Sequence, residues 1–186
     1  MSEIFGRAGG PREGTAPAGE MPERASPNAE SGRWLRRHHA GGVYALTTVA
    51  DGGYRAATLT GVLMASLEPL LFLVSLDRDS QIEAWVRAAG YFGLSLLTVR
   101  QQFLADQFAG FAPLAPKTFQ GIDHVTAVTG APLLTAAIGW ADCRVEGEIE
   151  TGDHTAFLAR AVEVGRGAGA DDEPLIYYRS RYPRLR

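Results

Sequence analysis

"ASLEPLLFLVSLDRDSQIEAW", residues 65–85, carries the clearest structural signal in the chain. Its apolar part, PLLFLVSL, has the length of a buried β-strand. Ser80 and Glu83 follow with the spacing of a capping box, so a helix is predicted to begin at this serine. The short polar stretch DRDS therefore joins a strand directly to a helix.

Arg78 and Ser80 stand at this predicted helix start. A helix N-terminus presents unpaired N–H groups and the positive end of the helix dipole. An arginine and a hydroxyl group at such a position are typical of a site for phosphate or another anion. The simpler interpretation is that Ser80 only caps the helix and that Arg78 is solvated. The residues alone leave both interpretations open.

The flanking sequence predicts a mainly β fold. GVYALTTVA and YRAATLTGVLMAS are strand-like and are joined by the turn DGG, which is too short for a crossover helix, so antiparallel pairing is expected. Two helices are predicted, SQIEAWVRAAG and TVRQQFLADQFAG, ending at Gly90 and Gly110. A further short helix, GRWLRRHHA, is predicted to be capped by Ser31. More strands are predicted at YFGLSLL, WADCRVEGEIET, AFLARAVEVG and LIYYRSRY, and together these elements favour a small β-barrel with flanking helices.

The chain has 186 residues, which is enough for one domain with a substantial core. Residues 1–30 are rich in glycine, proline, alanine and charged residues. They contain too few large apolar side chains to offset the entropy lost on ordering, so they are predicted to form a flexible N-terminal tail. The folded domain is expected to span residues 31–186.

Composition argues against several classes of protein. The net charge of −3 argues against a general role in nucleic-acid or membrane-surface binding. Cys143 is the only cysteine, which excludes an internal disulfide framework. No apolar run is long enough for a transmembrane helix, and the N-terminus lacks the apolar core of a secretion signal. A cytoplasmic location is expected.

The histidines do not suggest a metal site. None of them has metal-ligand spacing with another histidine, a cysteine or a carboxylate; they are His38, His39, His124 and His154. No Gly-x-Ser-x-Gly motif supports a hydrolase. His154 lies in the turn GDHT between two predicted strands. From the residues alone, a structural role in the turn is favoured over a role in a surface cleft.

GRGAGA, residues 165–170, has the glycine content of a dinucleotide-binding loop but the wrong context. Such a loop must leave a strand and open a helix, so that the pyrophosphate meets the helix N-terminus. Here acidic residues and Pro174 follow the glycines, and their charge would repel phosphate. A hairpin loop is predicted instead.

Five stretches, taken in order, carry a resemblance to a known family. They are GGVYALTT, SLEPLLFLVSLDRDSQ, YFGLSLLTVRQQFLADQFAG, WADCRVEGEIETGDHTAFLARAVEV and PLIYYRSRYPRL. From about Trp34 to Leu185 the chain resembles the flavin reductase-like, FMN-binding split-barrel family. Its members are the short-chain NAD(P)H:flavin oxidoreductases that serve two-component monooxygenases.

The resemblance implies a fold and an activity. The fold would be a six-stranded antiparallel split β-barrel with flanking helices, forming a homodimer with flavin at the subunit interface. The activity would be an NAD(P)H-dependent flavin reductase that transfers a hydride from NADH or NADPH to FMN or FAD. A flavin-dependent monooxygenase would be the partner that receives the reduced flavin. Because the cofactors carry this chemistry, the lack of a catalytic triad is no objection.

The resemblance also implies roles for particular residues. His154 would lie near the nicotinamide and orient it. The flavin ring would lie along the strand at Thr58, Leu59, Thr60, Met64, Ala65 and Ser66. The ribityl-phosphate end would be surrounded by Ser75, Leu76, Arg78 and Ser80. Phe108, Ala109 and Gly110 would close over the flavin, and Tyr182 would supply an aromatic ring close to it.

TLTGVLMAS, residues 58–66, departs from the pattern of the family. Met64 stands where serine is common, and a thioether cannot donate the hydrogen bond that a hydroxyl group offers. Losing one such bond would weaken flavin binding by about 0.5–1.5 kcal/mol. Two alternatives follow: a flavin-retaining oxidoreductase that acts directly on a small organic substrate in a pocket lined by Val62, Leu63 and Met64, and a non-catalytic flavin-binding protein.

Overall fold

A computed structural model describes residues 26–112 and 119–185 and is mainly β. Of the predicted flexible tail, residues 1–30, the first 25 lie outside the described residues, and the last two, Ala29 and Glu30, begin a helix. The strands are β1 Gly41–Gly42, β2 Tyr44–Ala50, β3 Gly53–Leu59, β4 Val62–Leu67, β5 Leu70–Asp77, β6 Tyr91–Leu96, β7 His124–Thr126, β8 Pro132–Leu134, β9 Gly139–Thr151, β10 His154–Arg166 and β11 Ile176–Tyr177. The α-helices are α1 Ala29–His38, α2 Gln81–Ala89 and α3 Gln102–Phe108, the last preceded by a 3-10 turn at Val99–Gln101.

Seven strands form one large sheet in the order β3-β2-β6-β9-β10-β5-β4, and every neighbouring pair is antiparallel. The antiparallel, mainly β prediction is therefore confirmed. The resemblance implied six strands, and the sheet contains one more. The extended run YRAATLTGVLMAS is divided at Thr60 and Gly61 into β3 and β4, which lie at opposite ends of the strand order.

Helix α2 begins and ends as its sequence predicts. Ser80 is extended, and its side chain accepts a hydrogen bond from the Glu83 amide at 3.3 Å. Gly90 ends the helix in the left-handed conformation with φ of 73°, which glycine adopts without a steric penalty. Ile82 and Val86 are buried in the main core beside Phe92 and Phe157, so the helix packs its apolar face on the sheet.

The first helix is capped differently from the prediction. Helix α1 begins at Ala29, and the Asn28 side chain accepts from the amides of Glu30 and Ser31 at 2.9 and 3.0 Å. The cap is therefore Asn28 rather than Ser31. Both residues belong to the preferred capping types, and the observed cap lies three positions before the predicted one.

Strands β9 and β10 form a hairpin whose register shifts twice. Leu158 pairs with Gly147 while Ala159 pairs with Val145, so Glu146 is the extra residue on β9. Ala161 pairs with Cys143 while Glu163 pairs with Asp142, so Val162 is the extra residue on β10. The two β-bulges lie on opposite strands, and the register at the two ends of the hairpin is the same.

The GRGAGA segment is a packing loop. Strand β11 pairs with β1 and not with β10, so the predicted hairpin loop is wrong. A Cβ atom on Gly167 would lie 2.0 Å from the Ala137 carbonyl oxygen, and one on Gly169 would lie 2.6 Å from the Ala136 carbonyl oxygen. The glycines are therefore required for close approach of two backbone segments.

Candidate functional site

The structure brings the predicted phosphate-binding residues and His154 to one corner of the sheet. The Arg78 amide donates to the Asp153 carbonyl oxygen at 3.0 Å. His154 lies opposite Asp77 at the start of the β5–β10 pairing. The loop that leads into α2 and the turn that leads into β10 are therefore in contact. The residues that meet there are far apart in the sequence: Arg78 and Glu150, for example, are separated by 72 positions. We call this region, residues 77–81 and 151–155, the corner.

Ser80 acts as a helix cap in the corner. Its hydroxyl accepts from the Glu83 amide and donates to the Asp77 carbonyl oxygen at 2.6 Å. The capping interpretation of this residue is thus confirmed. A role in holding phosphate remains a prediction for Ser80.

The Arg78 side chain turns to the β9–β10 hairpin. Its guanidinium contacts the Glu150 carboxylate at 3.3 Å and donates to the Gly152 carbonyl oxygen at 3.4 Å, while 45% of the side chain is exposed. An exposed ion pair of this kind contributes little to stability. Arg78 can therefore exchange Glu150 for an anionic ligand at small cost.

His154 is held by its neighbour in the turn. Its Nδ1 lies 2.8 Å from the Asp153 carboxylate, and 22% of the side chain is exposed. The hydrogen bond from His154, and then the histidine charge, lower the pKa of Asp153 below its ordinary value. This contact occupies Nδ1, so Nε2 is the nitrogen that can face a ligand.

A cleft of about 360 Å³ lies beside the start of α2. It is lined by β3, α2 and the end of α3, through Tyr54, Arg55, Ala56, Gln81, Trp85, Gln107, Phe108, Ala109, Gly110 and Phe119. Phe108 and Phe119 stack with ring centroids 5.5 Å apart. The predicted flavin-covering residues Phe108, Ala109 and Gly110 thus share one wall. Aromatic walls with a few polar groups suit a planar aromatic ligand.

Arg55 and Trp85 are cleft residues that the sequence analysis did not select. The Arg55 guanidinium lies 5.1 Å from the Trp85 ring centroid and contacts the Asp51 carboxylate at 3.4 Å. Trp85 lies on α2, within the predicted helix SQIEAWVRAAG. Because β3 and α2 meet only in the folded chain, local patterns gave no sign that these two side chains pair.

Three predicted flavin-strand residues lie around the end of β3. The Thr58 hydroxyl donates to the Ala105 carbonyl oxygen of α3 at 2.7 Å. Leu59 pairs with Tyr44 and packs against the main core. Thr60 lies against Gly41, where a Cβ would be 3.2 Å away. Thr58 therefore connects the strand to the helix whose end forms the cleft wall.

Met64, Ala65 and Ser66 lie on edge strand β4, and none of them is among the residues that line the cleft. Met64 pairs with Phe72 and Ser66 with Leu71, so Ala65 is the extra residue of a bulge. Met64 is 53% exposed. On neighbouring β5, the Ser75 amide donates to the Gly61 carbonyl oxygen at 2.9 Å, and Leu76 is buried in the core. Their predicted contacts with flavin stay predictions.

Tyr182 lies against α3. Its hydroxyl donates to the Asp106 carboxylate at 3.1 Å, and its ring lies 5.3 Å from that of Tyr177. Burial, followed by the charge of Asp106, raises the pKa of the Tyr182 hydroxyl, so it stays protonated at neutral pH. Tyr182 thus fixes the C-terminal segment to the helix that forms one wall of the cleft.

Within residues 26–112 and 119–185 there is no group of three or more histidine, cysteine or carboxylate side chains that could hold a metal ion. In the same ranges, no helix is long and apolar enough to cross a membrane.

An antiparallel β fold with an aromatic cleft beside a capped helix start has the features of a protein that binds a planar ligand. Residues 35–186 match the family described as the flavin reductase like domain, and the chain belongs to this family. The family predicted from the sequence is therefore confirmed.

The matches to related proteins cover about three quarters of the chain. It is 34% identical over 145 residues to the reductase component of 4-nitrophenol 4-monooxygenase/4-nitrocatechol 2-monooxygenase from Rhodococcus opacus, covering 78% of this chain and 75% of the relative. It is 33% identical over 144 residues to NADH-dependent FMN reductase AsuE2 from Streptomyces nodosus subsp. asukaensis, covering 76% and 77%. The solved structure of NADH:FAD oxidoreductase SgcE6 from Streptomyces globisporus C-1027 matches with a TM-score of 0.79 and 25% identity, covering 90% of this chain and 99% of that one.

Proposed function

We propose that this chain is an NAD(P)H-dependent flavin reductase that supplies reduced FMN or FAD to a partner monooxygenase. Family membership supports the activity, and the relative from Rhodococcus opacus is named as the reductase component of such a system. The observation that carries the proposal is the meeting of Arg78, Ser80 and His154 at one corner, with Gln81 lining the adjacent aromatic cleft.

The described residues have the chemistry that flavin and a nicotinamide nucleotide need. Trp85 and Phe108 would stack on a planar ring, and Arg78 with the α2 amides would hold the phosphate. His154, through Nε2, would orient the nicotinamide carboxamide. When both nucleotides are bound, hydride passes from the nicotinamide to the flavin. The protein supplies orientation and excludes water, so it needs no strong acid or base.

The proposal predicts flavin-dependent oxidation of a reduced nicotinamide. Purified protein mixed with NADH or NADPH should lose absorbance at the nicotinamide band only when FMN or FAD is present. His154→Ala is expected to lower kcat/KM for the nicotinamide roughly tenfold, because orientation is lost while the flavin site remains. No flavin-dependent turnover by the wild-type protein would refute the activity.

The organic-substrate alternative gains no support from the strand that suggested it. Leu63 and Met64 are 59% and 53% exposed on edge strand β4, and neither lines the cleft. An organic pocket requires side chains that converge on an enclosed space. The flavin-reductase proposal therefore stands without a second candidate.

The large sheet is proposed to close as a split barrel. Strands β3 and β4 lie at opposite ends of the strand order, yet only Thr60 and Gly61 connect them. Strands about 4.8 Å apart in a flat sheet of this width would separate its outer members by about 29 Å. Three backbone steps reach at most about 11 Å. Curvature that brings the two ends together accounts for so short a connection.

A homodimer is proposed with β4 at its interface. Leu63, Met64 and Leu67 leave 59%, 53% and 79% of their surfaces exposed on this edge strand. An exposed apolar edge strand is normally covered, because it also offers unpaired backbone groups. A second copy would cover it, and flavin would then lie near the interface, as the family resemblance implies.

The domain organisation and location are likewise proposals. Residues 31–186 would form the flavin reductase domain. The cytoplasm is the compartment proposed for the protein.

A further inference from the structure

Glu83 is a carboxylate buried in the first turn of α2. Only 5% of the residue is exposed, and its amide is bonded to the Ser80 cap. Its carboxylate accepts from the Thr155 hydroxyl at 2.8 Å and from the Arg87 guanidinium at 2.5 Å. Burial by itself would raise its pKa, but these two hydrogen bonds and the charge of Arg87 lower it below the ordinary value. Glu83 therefore carries its negative charge inside the fold.

Thr155 connects this carboxylate to the corner. It follows His154 directly, is 1% exposed, and pairs through its backbone with Leu76 on β5 and Glu150 on β9. Its hydroxyl reaches out of the sheet to Glu83. The first residues of β10 are thus tied to the first turn of α2 by a side chain adjacent to the predicted nicotinamide-side histidine.

Arg87 extends the connection to the other strand of the hairpin. Its guanidinium contacts the Glu148 carboxylate on β9 and lies 5.7 Å from the Phe157 ring centroid on β10. Helix α2 is therefore joined to both strands that carry the turn with Asp153 and His154. We call Glu83, Arg87, Glu148 and Thr155 the mooring network.

A mooring network made of charges is a costly way to gain stability. The free energy lost when a carboxylate and a guanidinium are desolvated can equal the free energy gained from their attraction. Apolar side chains of similar volume often stabilise a fold more. What hydrogen-bonded charges provide is a fixed geometry, because both partners must meet at one distance and direction. Through Thr155 and Glu83, the network joins the first turn of α2 to the residue that follows His154.

We propose that Thr155 and Glu83 are positioning residues that hold His154 at a fixed place relative to the start of α2. The inference rests on the proposed function, since it assigns the network to nicotinamide alignment. Neither residue lines the cleft, so both would act through the position of the β10 backbone. A shift of His154 of a few tenths of an ångström would misalign the nicotinamide and leave the aromatic cleft intact.

Paired substitutions at Thr155 test this. Thr155→Val removes the hydroxyl and keeps the branched shape, whereas Thr155→Ser keeps the hydroxyl. With Thr155→Val we expect kcat/KM for NADH to fall about tenfold, while the dissociation constant for FMN, measured by flavin fluorescence, changes by less than about twofold. Amide hydrogen exchange at residues 152–155 should accelerate about tenfold. Thr155→Ser should restore wild-type values in every measurement.

Glu146→Gln is the matched control. Glu146 forms an ion pair with Arg160 on the same hairpin, and among the described residues it has no hydrogen bond or ion pair to α2. Its loss should change neither NADH kinetics nor exchange at residues 152–155. If Thr155→Val does not fold, Glu83→Asp provides the test, because the shorter side chain keeps the charge beside Arg87 and withdraws from Thr155. It should give the same NADH-selective loss.

Two results would overturn the inference. One is wild-type NADH kinetics in Thr155→Val. The other is an equal loss for NADH and FMN in both Thr155→Val and Glu83→Asp together with a lower Tm, which is the pattern of a purely structural role. A wild-type protein without flavin-dependent NADH oxidation would refute the proposed function and this inference together, so the two failures are distinguishable.

Discussion

At the scale of single residues, Cys143 shows how burial removes reactivity. It is fully buried on β9, and burial, followed by the charge of Asp142, raises the pKa of its thiol to about 12. The thiolate is the reactive form of cysteine. The only cysteine of the chain is therefore an inert core residue at neutral pH.

We expect native protein to resist an aromatic disulfide reagent at pH 8, whereas protein in denaturant should release one thiol equivalent per chain, the number of cysteines in the sequence. Absorbance of the released thiolate measures both. Rapid labelling of the native protein would mean that the β9 region opens readily.

Gly167 must be a glycine because its backbone lies directly against the backbone of Ala137. Gly167→Ala would place a methyl group 2.0 Å from the Ala137 carbonyl oxygen, so one of the two segments must move. Overpacking of this kind costs about 1–3 kcal/mol. We expect the free energy of unfolding, measured with urea, to fall by that amount. Gly147→Ala is the control, because nothing lies within 4 Å of the added atom, and it should be close to neutral.

The glycine loop also marks a limit of prediction from the sequence. The acidic residues after Gly169 were sufficient to reject a phosphate-binding loop, and that conclusion needed only local charge. The true reason for the glycines is the backbone of residues 135–137, some thirty positions earlier. No local pattern encodes a contact between two loops, so only the folded chain reveals it.

At the scale of elements, α2 is the best-predicted part of the chain. Its cap, its apolar face and its terminal glycine are all local signals, and the structure contains each of them. The contacts by which α2 joins other elements could not be predicted from local sequence patterns. The Arg55–Trp85 contact and the Thr155–Glu83 hydrogen bond join α2 to β3 and β10, and such pairs depend on topology.

The mooring network gives stability a dependence on pH. The pKa of Glu83 is lower in the folded chain than its ordinary value of 4.5. A carboxylate with a depressed folded pKa stabilises the protein above the unfolded pKa and loses this contribution as pH falls through the folded pKa. Glu83→Gln should therefore lower the free energy of unfolding by about 1–3 kcal/mol at pH 7.

The difference between wild type and Glu83→Gln should shrink as pH falls from 4.5 towards and below the folded pKa. Urea unfolding at pH 7, 5 and 3.5 measures it, with Glu146→Gln as an exposed-carboxylate control. A constant difference across this range would contradict the assignment of the charge to Glu83.

At the scale of the whole molecule, the direct connection between β3 and β4 governs the architecture. The sequence indicated the strands and their antiparallel pairing, because alternation and the DGG turn are local. The same local patterns predicted one extended run, YRAATLTGVLMAS. The chain instead forms two strands there, β3 and β4, which lie at opposite ends of the strand order of the sheet. Gly61, whose carbonyl oxygen accepts from the Ser75 amide, marks the division, and its partner lies on β5.

The proposed homodimer predicts a specific change of mass. Wild-type protein should sediment at twice the chain mass of 19.9 kDa. Leu63→Glu introduces a charge on β4 and should shift the protein towards monomer, because an unpaired charge in an apolar interface is costly. Val164→Glu is the control: Val164 is 56% exposed on β10, close to the 59% of Leu63. Sedimentation velocity of the two variants checks this, and equal dimerisation by both would exclude β4 as the interface.

The paired bulges of the β9–β10 hairpin also constrain how the gene can change in length. Deleting Glu146 alone would slide the turn that holds His154 by one position against the strands at its base. Deleting Glu146 together with Val162 would straighten both strands and leave the two ends matched. Tolerated insertions and deletions within this hairpin should therefore come in compensating pairs, one on each strand.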